Sequence, residues 1–137
     1  MSDGGARPAR VTIRRVVEWP DTDAAGRYHH STVIRWVEAA EGELHAALDL
    51  LDLFGFVPRV HYEVDYFAPL FFRDEVEVDL RVDSVGSTSV SYAFSVSRGS
   101  ELAAKGEMVA VQLDGEVTAP QPWSENTRKL LLTAGAV

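Results

Sequence analysis

The chain has 137 residues, 46% of them hydrophobic and 25% charged, which fits one globular core that buries about two-thirds of the unfolded surface. Its 13 Lys and Arg against 21 Asp and Glu leave a net charge of −8, which argues against nonspecific nucleic-acid binding because phosphate neutralisation needs a local excess of cations. No apolar run approaches the roughly 20 residues that span a bilayer, and the lack of cysteine removes thiol nucleophiles, disulfides and cysteine-ligated zinc, a usage compatible with the cytoplasm.

Residues 1–10 carry Gly, Pro and charge without an apolar core, and read as a flexible N-terminal tail rather than a signal peptide. Val11 to Trp19 begins with alternating Val11 and Ile13 against Thr12 and Arg14, which predicts a first strand ended by Pro20. From Ser31 to Leu53 the apolar Val33, Val37, Ala40, Leu44, Ala47, Leu48 and Leu51 recur at three- and four-residue steps, which predicts one long amphipathic helix. Gly55 and Pro58 end that pattern. Val60, Tyr62, Val64 and Tyr66 then alternate with polar residues up to Phe67, followed by a strand at Glu75–Asp83, a Gly86 turn, a strand at Val90–Ser97 and another from Glu101 to Leu113. Pro120 and Pro122 introduce a short terminal helix over Ser124–Leu132. Successive strands with short turns pair antiparallel, so the expected class is α+β, with a strand, a long helix and a four-strand meander.

The polar segment from Asp21 to Thr32 holds two carboxylates, Asp21 and Asp23, the turn glycine Gly26, and His29 and His30, all just before the helix. A carboxylate here can act as base or nucleophile, and the unpaired N–H groups of a helix start can hold an oxyanion, which together suit acyl transfer. The same residues also make an ordinary capping loop, with Asp23 in an Asx turn and His30 as an exposed cap. Asp21 reads as a loop cap, and Gly26 as either a left-handed turn or a close backbone approach. The spacing of Asp21, Asp23, His29 and His30 matches no standard ligand pattern, so neither a metal nor another cofactor is expected.

The chain resembles the hotdog-fold acyl-CoA thioesterases of the 4-hydroxybenzoyl-CoA thioesterase and YbgC-like type. The resemblance runs from about Arg14 to Leu113 and rests on Asp21-Thr22-Asp23-Ala24-Ala25-Gly26, on Arg35-Trp36-Val37-Glu38-Ala39-Ala40, on Tyr66-Phe67-Ala68-Pro69 and on Arg73-Asp74-Glu75-Val76-Glu77-Val78. It implies a single hotdog domain over residues 11–137, in which a five-stranded antiparallel sheet wraps one long central helix. It further implies a homodimer or homotetramer with sites between subunits, and hydrolysis of a thioester carried by coenzyme A or an acyl carrier protein. Asp23 matches the family's catalytic carboxylate, the backbone N–H at His30 its oxyanion donor, and the His30 ring a carbonyl-polarising position.

A helix glutamate serves another hotdog group as its carboxylate, which makes Glu43, at the edge of the apolar helix face, or Glu41 the reserve candidate. Tyr28, Tyr62, Tyr66, Phe67, Phe71 and Phe72 are candidates for an acyl pocket or for core and interface. Relatives that bind coenzyme A tightly often place basic residues in the turn where this chain has Gly86-Ser87-Thr88-Ser89, which leaves two readings: phosphate contacts from Arg73, Arg81, Arg98, Arg128 or Lys129 or from a neighbouring subunit, or an acyl group delivered on a carrier protein with only its phosphopantetheine arm in the site. The other readings are a hotdog dehydratase or hydratase acting on a 3-hydroxyacyl thioester, and a non-catalytic module that binds an acyl ligand.

Overall fold

The computed structural model describes residues 6–137. Its elements are β1 (Arg7–Val16), α1 (Thr32–Ala47), β2 (Arg59–Tyr66), β3 (Glu75–Val85), β4 (Ser89–Arg98), β5 (Glu101–Val111), α2 (Glu125–Thr133) and β6 (Ala134–Ala136). β1 therefore starts inside the stretch read as a tail, while residues 1–5 of that expectation lie outside the described residues.

The strands form one sheet in the order β2-β5-β4-β3-β1-β6. The expected four-strand meander is corrected: β3, β4 and β5 are joined as hairpins, but β2 pairs with β5 and not with β3. β2 and β3 lie three strand spacings apart, about 14 Å. Residues 67–74 can cover that gap, since an extended chain reaches up to about 3.3 Å per residue. The sheet has six strands and is mixed, because β6 adds to β1 in parallel.

The helix is also shorter than its periodicity predicts. After α1 the chain turns at Asp49, which adopts φ 58°. The Asp49 N–H donates to Ala46 O and the Leu50 N–H to His45 O, the two bonds of a Schellman ending with Asp where Gly is usual. Leu51–Leu53 then forms a separate 3-10 turn.

Val33, Trp36, Val37, Ala40, Leu44 and Leu48 of α1 bury themselves against Val76, Val78, Leu80 and Val82 of β3 and Val90, Tyr92, Phe94 and Val96 of β4. Strict alternation gives each strand one apolar face, so the sheet can close on the helix while its other face stays polar. This is the wrapped-helix arrangement expected of a hotdog. Within it, Tyr62 of β2 stacks on Phe94 with centroids 5.7 Å apart. Gly106 of β5 leaves room for this pair, since a Cβ there would strike the Phe94 ring and the Glu63 carbonyl.

One polar cluster interrupts the core where α1 meets the edge strand. Glu41 is only 1% exposed and forms an ion pair with Arg59, whose Nε lies 3.4 Å from Glu38 Oε2. His45, one turn further along the same helix face, puts Nε2 3.4 Å from the Tyr92 hydroxyl and its ring against Phe54. Burial raises the Glu41 carboxyl above its ordinary range, with Arg59 pulling the other way. Burial and then Arg59 lower His45 from 6.5 to about 4.

Two outcomes are expected. The unfolded chain takes up the His45 proton near pH 6.5 and the folded chain only near pH 4, so His45 contributes stability above pH 6.5 that is lost as pH falls through that window. The loss amounts to about 3 kcal/mol. Glu41 opposes it, because a raised carboxyl destabilises the fold as pH rises. Denaturant unfolding from pH 7 to pH 4 should show a smaller acid loss in His45→Phe than in the unchanged chain. Gly106→Ala should lower stability by about 3 kcal/mol or prevent folding, measured by thermal unfolding.

Candidate functional site

The loop before α1 is built by its two aspartates in different ways. Pro20 sits within a 3-10 turn at Trp19–Asp21, and the Asp21 carboxylate accepts the Glu18 N–H at 2.8 Å. Its other oxygen accepts Arg35 Nη2 at 2.9 Å, while the Asp21 carbonyl accepts the His29 N–H at 2.6 Å and the Thr32 hydroxyl at 2.9 Å. Asp21 is 5% exposed, so these four donors tie the loop to the first turns of α1. This is the capping role expected of it.

Asp23 is exposed. Its Oδ1 accepts the Ala25 N–H at 2.8 Å and the Arg27 N–H at 3.3 Å, and among the described residues its Oδ2 has no partner. One oxygen thus orients the carboxylate and the other is left free of protein partners among the described residues. Gly26 closes the turn at φ 81°, and a Cβ added there would meet nothing within 4 Å, so it is needed for its left-handed conformation and not for a close approach.

Beyond the turn, Tyr28 is buried and its N–H donates to Leu70 O. Its hydroxyl donates to Ala68 O at 3.1 Å, and its ring stacks with Trp36 and meets Tyr66 edge-on. Burial, with Tyr66 beside it, pushes the Tyr28 phenol up to about 12. It is a protonated wall at neutral pH.

His30 is exposed, with its ring 4.0 Å from that of His29. The His29 carbonyl, which shares a peptide with the His30 N–H, accepts the Thr32 N–H at 2.9 Å, and the Tyr66 hydroxyl donates to the carbonyl of the following peptide, His30, at 2.6 Å. Among the described residues the His30 N–H meets no acceptor, and Ser31 at the N-cap makes no side-chain cap bond. An open N–H at a helix start, in a fixed peptide, can hold a developing oxyanion.

Asp23, Arg27, Tyr28, His30, Tyr66, Phe67, Ala68 and Pro69 line one cleft of about 390 Å³. It gathers Asp23, Tyr28, His30, Tyr66 and Phe67 from distant parts of the sequence. Gly26 stands beside it, in the turn that presents Asp23. Two candidates fall elsewhere in the chain. Glu43 is exposed and takes part in no ion pair among the described residues, because the sheet curls over the opposite flank of α1 and buries Glu41 and His45 instead. Arg98 pairs with Asp74 and Glu101, each at 2.9 Å, and does not line the cleft. Phe71 and Phe72 are exposed outside it, and Tyr62 lies on the core side of the sheet. Sequence reasoning missed Arg27, whose only signal was a cation between Gly26 and Tyr28 at the end of the Asp23 turn.

The two aspartates should separate in a stability measurement. Asp21→Ala removes a buried charged acceptor and strands Arg35 and the Glu18 N–H, so unfolding free energy should fall by about 2–3 kcal/mol. Asp23→Ala, which releases an exposed turn, should change it by less than about 1 kcal/mol.

A sequence profile of the thioesterase-like superfamily matches residues 17–131. The chain is 25% identical over 130 residues to a 1,4-dihydroxy-2-naphthoyl-CoA hydrolase of Synechococcus elongatus, covering 90% of this chain and 96% of that one. It is 31% identical over 109 residues to the hydrolase of the same name from Gloeothece citriformis, covering 75% and 74%. Among solved structures, a Thermus thermophilus thioesterase complexed with coenzyme A and zinc superposes with a TM-score of 0.80 at 29% identity, over 93% of this chain and 94% of that one. The hotdog sheet, the cleft at the mouth of its helix and these matches agree: the chain belongs to the thioesterase-like superfamily and is a thioester hydrolase.

Proposed function

We propose that the chain hydrolyses an acyl-CoA thioester in the cleft at the start of α1, with the Asp23 carboxylate as base or nucleophile and the His30 N–H as oxyanion donor. The observation that carries this reading is the presence, in one cleft, of an unpartnered carboxylate oxygen on Asp23 and an unengaged N–H on His30. As base, Asp23 takes a proton from water while the hydroxide adds to the thioester carbonyl. The carbonyl oxygen becomes an alkoxide held by the His30 N–H, then re-forms the double bond and expels the thiolate, which takes the proton back from Asp23. As nucleophile, Asp23 adds to the same carbon, thiolate leaves, and water hydrolyses the mixed anhydride. Both routes place charge on the oxygen that the helix start stabilises, and one such donor contributes about 3 kcal/mol to the barrier difference.

The acyl group proposed is aromatic. Tyr28, Tyr66 and Phe67 offer ring faces and edges to a flat substrate, and two relatives carry the name of a naphthoyl-CoA hydrolase. Coenzyme A is the proposed carrier, in keeping with the Thermus relative, ahead of an acyl carrier protein. We further propose a homodimer in the cytoplasm. β2 is an edge strand with Val60, Tyr66 and Phe67 exposed along or beside it, and pairing it with its copy would cover that edge and bring two clefts together.

Thiol release from aromatic acyl-CoAs tests the reading. Asp23→Asn should lower kcat by about 10²–10⁴-fold with its unfolding midpoint unchanged. Turnover at the unchanged rate in that variant would refute the assignment, and light scattering that gives a monomer would remove the dimer.

A further inference from the structure

A second built surface lies against the cleft and is not used by the chemistry. Trp19 is 73% exposed, and Phe72, also exposed, meets it edge-on with centroids 5.6 Å apart at 89°. Phe71 beside them is exposed as well. Large aromatic rings left in water side by side mark a contact surface, unlike apolar residues scattered singly.

This aromatic surface is held rigidly. The Arg73 N–H donates to Val17 O, and the Val17 N–H donates to Asp74 O, which joins the 71–74 turn to the chain just ahead of Trp19. Asp74 Oδ2 accepts the Phe71 N–H and Arg98 Nη1, both at 2.9 Å. Arg98 is thus a support of the turn and not a ligand of the cleft.

Two arginines belong to the segments joined to these rings, Arg73 next to Phe72 in sequence and Arg27 through the backbone of Phe71. The Arg27 backbone forms an isolated antiparallel β-bridge with that of Phe71, and Arg27 also lines the cleft, so it links the surface to the cleft. Arg73 is exposed and adopts φ 77°, a backbone conformation that an arginine takes only at a conformational cost. Among the described residues neither Arg27 nor Arg73 has a carboxylate within ion-pair distance, in a chain with a net charge of −8. Unpaired guanidiniums suit phosphate oxygens, and exposed aromatic faces suit a purine.

We propose that Trp19 and Phe72, with Arg27 and Arg73, form the subsite for the nucleotide of a coenzyme A thioester: the adenine stacks on the aromatic pair and the phosphates meet the two arginines. The proposal rests on the thioesterase reading for its substrate, and Arg27 gives the continuity from the reacting end of that substrate to its nucleotide end. It also accounts for the neutral Gly86-Ser87-Thr88-Ser89 turn, since the phosphate charges are met elsewhere.

Binding of free coenzyme A, 3′-dephospho-coenzyme A and pantetheine, measured by titration calorimetry, tests it without turnover. Coenzyme A should bind the unchanged chain at least tenfold more tightly than pantetheine. Trp19→Ala and Arg73→Gly should each weaken coenzyme A about tenfold and leave pantetheine unchanged. Arg73→Gly relieves the left-handed strain, so its unfolding midpoint should stay or rise while affinity falls, which a merely structural role would not produce. Equal affinity for coenzyme A and pantetheine overturns the subsite, as does a change of oligomeric state in Trp19→Ala, which would make the patch an interface. Hydrolysis of carrier-protein and coenzyme A thioesters at equal kcat/KM in all three chains also overturns it, while leaving hydrolysis standing. Selective coenzyme A binding with no thiol release from any acyl-CoA would instead keep the subsite and remove the hydrolase assignment.

Discussion

The cleft depends on the buried carboxylate of Asp21. A loop that follows a strand and precedes a helix has few backbone partners of its own, and without a fixed point its residues would sample many conformations. Asp21 supplies that point, because its carboxylate and carbonyl together accept four hydrogen bonds, from Glu18, His29, Thr32 and Arg35. Three of the donors belong to the lead-in or first turn of α1 or to its exposed flank. The loop therefore moves with the helix. Asp23 and His30, on either side of the Gly26 turn, inherit their relative position from this residue and from the Tyr66 bond to the His30 carbonyl.

The opposite end of α1 is fixed differently. There the helix meets edge strand β2 through Glu41 and Arg59, with His45 and Tyr92 beneath them. Removing charges from water is unfavourable, so such a cluster contributes less to stability than an apolar contact of the same size, but it fixes how the helix seats against β2. β2 in turn carries Tyr66, which reaches the helix start. A buried polar contact at one end and a hydroxyl bond at the other thus hold one strand against one helix, with the cleft between them.

Charge is distributed to the same effect. Several arginines of this acidic chain are paired: Arg10 with Asp79, Arg14 with Glu77, Arg35 with Asp21, Arg59 with Glu38 and Glu41, and Arg98 with Asp74 and Glu101. Arg128 donates to the Gly86 and Val85 carbonyls near α2. Surface pairs of this kind stabilise little. Arg7, Arg15, Arg27, Arg73 and Arg81, by contrast, make no ion pair among the described residues, and of these Arg27 lines the cleft, which gives the cleft a local positive charge despite the overall sign.

The apolar faces, the α+β class, the five long strands and the segment proposed to carry the site were legible in the residues alone, because side-chain alternation and helical periodicity are local properties that survive in any tertiary setting. The motif around Asp23 and Gly26 was legible for the same reason, since an Asx turn closed by a left-handed glycine is made within a few consecutive residues. The strand order was settled by tertiary packing, because pairing β2 with β5 instead of β3 leaves no trace in the pattern of either strand. Tertiary packing also decided that Glu41 and not Glu43 is buried, since a helical wheel gives the centre of an apolar stripe but not which flank the sheet will cover. Arg27 is placed in the same way, as a residue unremarkable in sequence that the loop before α1 brings to the lining of the cleft.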